Sequence, residues 1–254
     1  MSHFVLFVAL LIGLKGFWYL QARKKGLLTD NDRKNRVAFA IKMRQEHGPE
    51  YWTDEVEFYL DGVSFAYKIN PLDQARAPSG RIYRKKSEGL NQYCTAKGSK
   101  VGTGGKVAKF PVAISYDAGV VLCKEYEHSF IDANFDQMFQ KSNKATRLFL
   151  QDNDPCQNSR VAKSAWERAN AELVAIPSKS PELNPAENLF KAVREDLRTE
   201  AQEKQIERET FAEFKERVRD KILSFPVPKI NNFIESMDKR LRLIIERKGQ
   251  RLTY

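Results

Sequence analysis

The chain has 254 residues, of which 42% are hydrophobic and 30% are charged. That length is enough for one large domain with a sizeable core, and the composition is ordinary for a globular protein. Lysine and arginine outnumber aspartate and glutamate by 43 to 33, which gives a net charge of +10. This charge favours polyanionic partners, nucleic acid first and acidic membrane surfaces second. The three cysteines form no CxxC pair, so neither a zinc ribbon nor a disulfide framework is indicated.

The first 20 residues differ from the rest of the chain. Residues 4–14 are an apolar run interrupted only by Gly13, and residues 16–20 are again apolar. The run is shorter than the roughly 20 residues that a membrane span needs. It also lacks the basic start and the small-residue cleavage site of a signal peptide. The alternatives are an uncleaved membrane anchor over residues 4–20, the apolar core of a signal peptide, and a truncated helix that once packed in a core.

Residues 21–50 are basic and predict a helix. Thr29 is a plausible N-cap for this helix. Its apolar face is expected to carry Val37, Ala38, Ile41 and Met43, with cations on the opposite face. A solvated basic helix is the simplest interpretation, and a contact with DNA phosphates is the alternative. The candidate DNA-binding residues in this segment are Arg23, Lys24, Lys25, Arg33, Lys34 and Arg36.

A change to strand patterns begins near Val56. Apolar and polar residues alternate from Val56 to Asp61, which predicts a half-buried strand, and Gly62 follows immediately. Residues 107–114 and 120–126 predict a hairpin with its turn at 116–119. The intervening segment, 70–105, is rich in Gly, Pro, Ser and cations and predicts a long loop with little regular structure. Further candidates for DNA contact in that loop are Arg81, Arg84, Lys85 and Lys86.

The second half of the chain alternates helices and strands. The patterns predict a helix over 132–141, a strand over 147–151, a helix over 159–170 and a strand over 172–176. From Pro185 the chain is helical, with a break at 225–228 and a last helix from Asn231 to Lys248. This order of elements is what an α/β fold requires, with a mixed five-stranded sheet flanked by helices.

Three carboxylates stand out because each falls at an end or edge of an element of this sheet. Asp61 lies on the strand that begins at Val56, and Asp152 directly follows a buried strand, where α/β proteins collect their ligands. Glu187 lies at the third position of a helix that Asn184 would cap and Pro185 would begin. Each has a structural alternative, as an edge residue, an Asx turn or a capping glutamate. Three convergent carboxylates repel one another and make sense mainly around divalent cations.

Such a cluster would hold two Mg²⁺ ions roughly 4 Å apart, one activating a water or 3′-hydroxyl and the other stabilising the leaving oxygen. Oxygen ligands suit Mg²⁺ because it is a hard cation. This chemistry needs no histidine base and no covalent nucleophile. Accordingly, the sequence shows no Ser/His/Asp or Cys/His arrangement.

The motifs around these carboxylates resemble those of a known family. SPELNPAENLF is similar to the SPDLNPIENLW signature of Tc-type transposases of the mariner superfamily, and LQDNDPCQNS and FYLDGVSF resemble the motifs of its two aspartates. The 34 residues between Asp152 and Glu187 match the spacing of the Tc-type branch. The resemblance spans roughly residues 15–254. Gln157 stands where many relatives have histidine.

The resemblance implies an RNase H-like DDE catalytic domain over residues 51–254, with a helical C-terminal extension. It implies that Asp61, Asp152 and Glu187 are the catalytic residues and bind two Mg²⁺ or Mn²⁺ ions. It further implies a homodimer that cleaves transposon ends in the nucleus and joins them to target DNA. Of the two helix-turn-helix units of the family, we expect only the tail of the second, residues 16 to about 25, ahead of the basic linker. The alternative function is a catalytically silent DNA-binding or interaction protein, and the alternative location is a membrane.

Overall fold

The computed structural model describes residues 18–21, 28–76, 81–84, 105–125, 130–142, 144–152 and 160–252. In chain order, the elements in these ranges are β1 (Trp18–Gln21), α1 (Asp30–Glu46), β2 (Val56–Ala66), α2 (Pro71–Arg76), β3 (Arg81–Arg84), β4 (Val107–Ser115), β5 (Gly119–Cys123), α3 (Phe130–Ser142), β6 (Leu148–Gln151), α4 (Arg160–Arg168), β7 (Glu172–Ala175), α5 (Pro185–Glu203), α6 (Phe211–Leu223), α7 (Val227–Glu235) and α8 (Met237–Glu246). A π-helical turn, Tyr51–Glu55, precedes β2, and a 3₁₀ turn, Pro181–Leu183, precedes α5.

The main sheet has five strands in the order β5-β4-β2-β6-β7. The hairpin strands β4 and β5 are antiparallel to their neighbours, whereas β6 and β7 run parallel to β2. The predicted mixed five-stranded sheet with flanking helices is therefore confirmed. A separate two-stranded antiparallel sheet joins β1 to β3. Thus Trp18–Gln21, expected to lie in a helix-turn-helix tail, is extended.

The central strand β2 is buried on both faces through its first half, so the prediction of a half-buried strand is wrong there. Phe58 packs against aromatic side chains of α3 and β6, on one side of the sheet. Tyr59 faces the other side, in the core that includes α5. The polar positions of the alternation are buried because they have internal partners. The Tyr59 hydroxyl donates to the Trp52 carbonyl at 2.6 Å, and the Glu57 carboxylate accepts from Ser142 and from the Arg147 amide at 2.6 Å each.

Helix α1 begins where the sequence predicts, but its buried face is different. Thr29 and Asp32 form a capping box, with N–H···O distances of 2.8 and 3.1 Å between each side chain and the other residue's amide. The buried side chains are Arg36, Ala40 and Met43. Of the expected apolar set, Met43 alone is fully buried, and Ile41 is 38% exposed. The buried face therefore includes Arg36 and Ala40 in place of Val37 and Ile41, on a helix that packs against α8.

Two other predictions need correction. The segment 70–105, predicted as a loop, contains α2 and β3. The last helix, predicted from Asn231 to Lys248, is divided at Ser236 into α7 and α8. The Ser236 hydroxyl donates to the Phe233 carbonyl at 2.7 Å and accepts from Arg240 at 2.9 Å, so the break is stabilised from both sides.

The predicted domain limits at residues 20 and 50 remain predictions. Within the described ranges, every helix is too short or too polar to cross a lipid bilayer. Residues 4–17 of the candidate anchor lie outside those ranges.

Candidate active site

Asp61 and Asp152 lie next to each other on parallel strands. The last paired residues of β2 and β6 are Leu60 and Gln151, so each aspartate comes one residue after this pair. Strand β6 ends at this point, whereas β2 continues to Ala66. Asp61 is 6% exposed, and Asp152 is half-buried. The two acids therefore lie side by side where β6 ends, as the sequence predicts.

Glu187 reaches the same edge from the first turn of α5. Asn184 is the N-cap of this helix, and its side-chain oxygen accepts from the Ala186 amide at 3.1 Å. The Asn184 amide group donates to the Asp61 carboxylate and to the Leu60 carbonyl, at 3.2 Å each. The predicted N-cap and N1 proline are therefore confirmed. One buried side chain starts the helix and joins it to β2.

Asp61, Asp152 and Glu187 line one cleft of about 200 Å³, together with Asn184 and the segment 176–181. The structure therefore brings the three predicted carboxylates to one place. Among the residues that the structure describes, no three His, Cys, Asp or Glu side chains are close enough to hold a metal ion as they stand. The donor chemistry nevertheless fits, because carboxylate oxygens are the preferred ligands of hard divalent cations.

Two cations, Arg194 near the carboxylates and Lys179 in the cleft lining, were not predicted from the sequence. The Arg194 guanidinium donates to the Ser64 carbonyl at 3.5 Å and lies 5.2 Å from the centre of the Phe65 ring. Burial lowers the pKa of Arg194 below its ordinary value, and the carboxylates of Glu187 and Asp61 act in the opposite direction. The available signal was the seven-residue spacing from Glu187, which places both residues on one helix face. The other cation, Lys179, lines the cleft and donates to Asp32 of α1 at 2.8 Å.

The predicted DNA-binding residues separate into three groups. Arg33 and Lys34 are accessible, although Arg33 is ion-paired with Asp30. Arg36 is fully buried and hydrogen-bonded within the fold, so the prediction that it contacts DNA is wrong. The remaining candidates are not tested. Arg81 and Arg84 are the end residues of β3, but their side chains lie outside the described part of the structure. The following residues lie wholly outside it: Arg23, Lys24, Lys25, Lys85, Lys86 and Gln157.

A second cleft, of about 380 Å³, lies at the opposite edge of the sheet. It is lined by residues that precede β2, by the β4–β5 turn and by the end of α3. Although it is larger, it contains none of the predicted site residues. Its Lys144 ammonium is engaged with the carbonyls of Thr53 and Val56. The smaller cleft is therefore the candidate active site.

Comparisons with known proteins agree with the fold and with the motifs. Residues 104–212 match the family described as DDE superfamily endonuclease. The chain is 27% identical over 251 residues to the Tc1 transposase of Caenorhabditis elegans, an alignment that covers 91% of this chain and 81% of the relative. These matches define the class of protein as a distant homologue of DDE transposases.

Solved structures agree with this chain in fold. The catalytic domain of Mos1 mariner transposase superposes with a TM-score of 0.62 at 12% identity, and the match covers 90% of this chain and 99% of that domain. Two Mos1 paired-end complexes, one with the left transposon end and one with Mn, give TM-scores of 0.65 and 0.64 at 14% identity, with 92% of this chain and 67% of theirs covered. The predicted RNase H-like fold is confirmed, and the chain is a distant relative of the Tc1/mariner transposases over most of its length.

Proposed function

We propose that this chain is a DDE-type transposase that cleaves and joins DNA phosphodiester bonds with two Mg²⁺ or Mn²⁺ ions. The observation that carries the proposal is the convergence of Asp61, Asp152 and Glu187 on one cleft from β2, β6 and α5. Three anionic groups from separate elements repel one another unless a cation lies among them. The relatives support the same reaction, because they are transposases and one Mos1 complex contains Mn.

In this proposal, Asp61, Asp152 and Glu187 hold the metal ions through their carboxylate oxygens. Bound divalent ions would activate a water or 3′-hydroxyl and stabilise the leaving oxygen. The protein's own contribution is orientation. Asn184 fixes the Asp61 carboxylate relative to α5 through its 3.2 Å hydrogen bond, and the cap it forms orients the first turn that carries Glu187.

The DNA would approach the cleft along a surface that includes Arg194 and the accessible cations of α1. Arg194 lies near two of the three carboxylates and carries a positive charge where a phosphate would enter. We propose that DNA phosphates are also contacted by Arg33, Lys34, Arg81 and Arg84. Such contacts add affinity for DNA without sequence selectivity. Transposon ends and target DNA are the proposed substrates, and a nuclear homodimer is the proposed working form.

The test is nicking of supercoiled plasmid and of labelled oligonucleotide duplexes by the purified full chain, with Mg²⁺ or Mn²⁺ and with EDTA. We expect metal-dependent nicking that Asp152→Asn reduces by about 100-fold or more, because a ligand carboxylate is lost. Asp54→Asn is the matched control, since Asp54 lines the second cleft. Its activity should equal that of the wild type.

A different result would favour the alternative function. If wild type and Asp152→Asn leave DNA equally uncut while both bind it, the chain is a catalytically silent DNA-binding protein.

A further inference from the structure

The buried side chain of Arg36 connects three distant parts of the chain. Its Nε donates to the Gly249 carbonyl at 2.9 Å, and one Nη donates to the Ser180 hydroxyl at 2.8 Å and to the Lys179 carbonyl at 3.3 Å. The other Nη donates to the Glu182 carboxylate and, at 3.3 Å, to the Gln250 carbonyl. All five N–H groups of the guanidinium therefore have acceptors.

Glu182, the acidic partner of Arg36, accepts hydrogen bonds through both its carboxylate and its backbone carbonyl. Its side chain is 6% exposed and that of Arg36 is 0% exposed, so water screens the pair little. The Glu182 carboxylate also accepts from the Leu252 amide at 3.4 Å. Its backbone carbonyl accepts from Arg240 of α8 at 2.8 Å. Arginines from α1 and α8 thus fix the 3₁₀ turn Pro181–Leu183.

The first residue of that turn and the segment before it form one wall of the candidate active site. Lys179, Ser180 and Pro181 line the cleft with the three carboxylates. The turn ends at Asn184, whose amide N–H donates to the Pro181 carbonyl at 3.1 Å. The Asn184 side chain then contacts Asp61, and Glu187 follows one turn later. A displacement of the turn would therefore move Asn184 and change the separation of Glu187 from Asp61.

We propose that Arg36 and Glu182 are positioning residues that set the spacing of the metal-binding carboxylates. The proposal rests on the proposed function, since it assigns these residues an effect on metal binding. A purely structural ion pair would stabilise the fold and leave metal affinity unchanged. Positioning instead predicts a change in metal affinity that is separable from stability, as for residues that orient metal ligands.

The experiment measures Mn²⁺ binding to the full chain by the electron paramagnetic resonance signal of free Mn²⁺, at a temperature well below each variant's melting point. The variants are Glu182→Gln, which keeps the shape and removes the charge, and Arg36→Lys, which keeps the charge and removes the planar fork. We expect either to raise the Mn²⁺ dissociation constant about 10-fold or more. The Mn²⁺ dependence of nicking should shift to higher concentration by the same factor.

Glu209→Gln is the matched control. The Glu209 side chain is also 6% exposed, and it forms a bidentate pair with Arg217, with N–O distances of 2.7 and 2.9 Å, outside the cleft. This variant should lose thermal stability and keep its Mn²⁺ dissociation constant within about twofold of the wild type, because it orients no metal ligand. Ser180→Ala, which leaves the ion pair intact and removes one hydrogen bond to Arg36, gives a milder change if the other variants do not fold.

The outcomes separate the two proposals. If wild type binds Mn²⁺ in an Asp152-dependent way and the folded Arg36, Glu182 and Ser180 variants bind it equally well, the positioning role is wrong and the proposed function stands. If wild type itself binds no Mn²⁺, the proposed function fails and the positioning role fails with it. An equal loss of affinity in Glu209→Gln would also overturn positioning, because stability alone would then explain the effect.

Discussion

The side-chain amide of Asn184 donates to the carboxylate of Asp61 at 3.2 Å, although 123 positions separate them in the chain. The same side chain is the N-cap of α5, and it is fully buried. Asn184 therefore links the strand that carries one predicted metal ligand to the helix that carries another. Its two functions, capping and orientation, can be separated by mutation.

Asn184→Ala should lower the free energy of unfolding by about 2–3 kcal/mol, because it removes the cap and leaves buried groups without partners. Asn184→Asp keeps a cap acceptor but places a second carboxylate against Asp61, which raises the pKa of that pair. Its deficit relative to wild type should therefore be largest near neutral pH and should shrink as the pH falls. Urea unfolding of each protein at about pH 7.5 and about pH 5 measures both effects.

The control for this pair is Asn188→Ala on the same helix, where the side chain is half-buried. A change within about 0.5 kcal/mol is expected there, as for substitutions away from caps and buried networks. An Asn184→Asp deficit that does not depend on pH would contradict the repulsion from Asp61.

Arg194→Ala should weaken DNA binding uniformly across sequences, because a phosphate contact carries no base information. The slope of log K against log salt should fall in magnitude by about 1. Fluorescence anisotropy over a salt series measures this slope. Lys215→Ala removes one positive charge from α6, where Lys215 is paired with Glu125. If both variants change the slope equally, net charge rather than a contact at the cleft is responsible.

Gly249→Ala should destabilise the fold by at least about 2 kcal/mol, because Gly249 has a positive φ that an L side chain rarely adopts. An added Cβ would also lie 2.3 Å from the backbone oxygen of Arg33. Chemical unfolding measures the loss. Gly105→Ala is the control, because in the described part of the chain no atom beyond its two neighbours lies within 4 Å of its added Cβ. Equal stability of the two variants would show that Gly249 does not lie close to Arg33 of α1 in solution.

The interaction of Asp32 with Lys179 should appear in the acid limb of the stability curve. Hydrogen bonds from the Lys179 side chain and then from the Thr29 amide to the Asp32 carboxylate lower the pKa of Asp32 from 3.8 to about 2. Because the pKa of Asp32 is lower in the folded than in the unfolded state, its ionised carboxylate stabilises the fold at pH values above the unfolded-state pKa. This contribution is lost as the pH falls through the folded-state pKa. The stability difference between wild type and Asp32→Asn should therefore disappear between about pH 4 and pH 2. A constant difference over this range would contradict the assignment.

Local patterns predicted the sheet, the hairpin, the Thr29 and Asn184 caps and the meeting of three acids. They failed where a long-range partner decides the outcome. A lone arginine in a basic segment is expected to face solvent or to contact DNA. Arg36 is instead buried, because acceptors of its hydrogen bonds lie as far as 143 and 214 positions further along the chain. Similarly, Glu57 belongs to an alternating polar face but is buried by hydrogen bonds to Ser142 and Arg147. No local periodicity encodes such partners.

The network around Arg36 also has a consequence for synthesis. Arg36 leaves the ribosome 213 residues before its acceptor Gly249. At about 5–20 residues per second, this delay amounts to about 10–40 s. Until residues 249–252 are synthesised, Arg36 lacks the carbonyl acceptors of Gly249 and Gln250, and the Glu182 carboxylate lacks the Leu252 amide. The wall of the cleft therefore has its full set of hydrogen bonds only after this segment, 213 to 216 positions beyond Arg36, has been made.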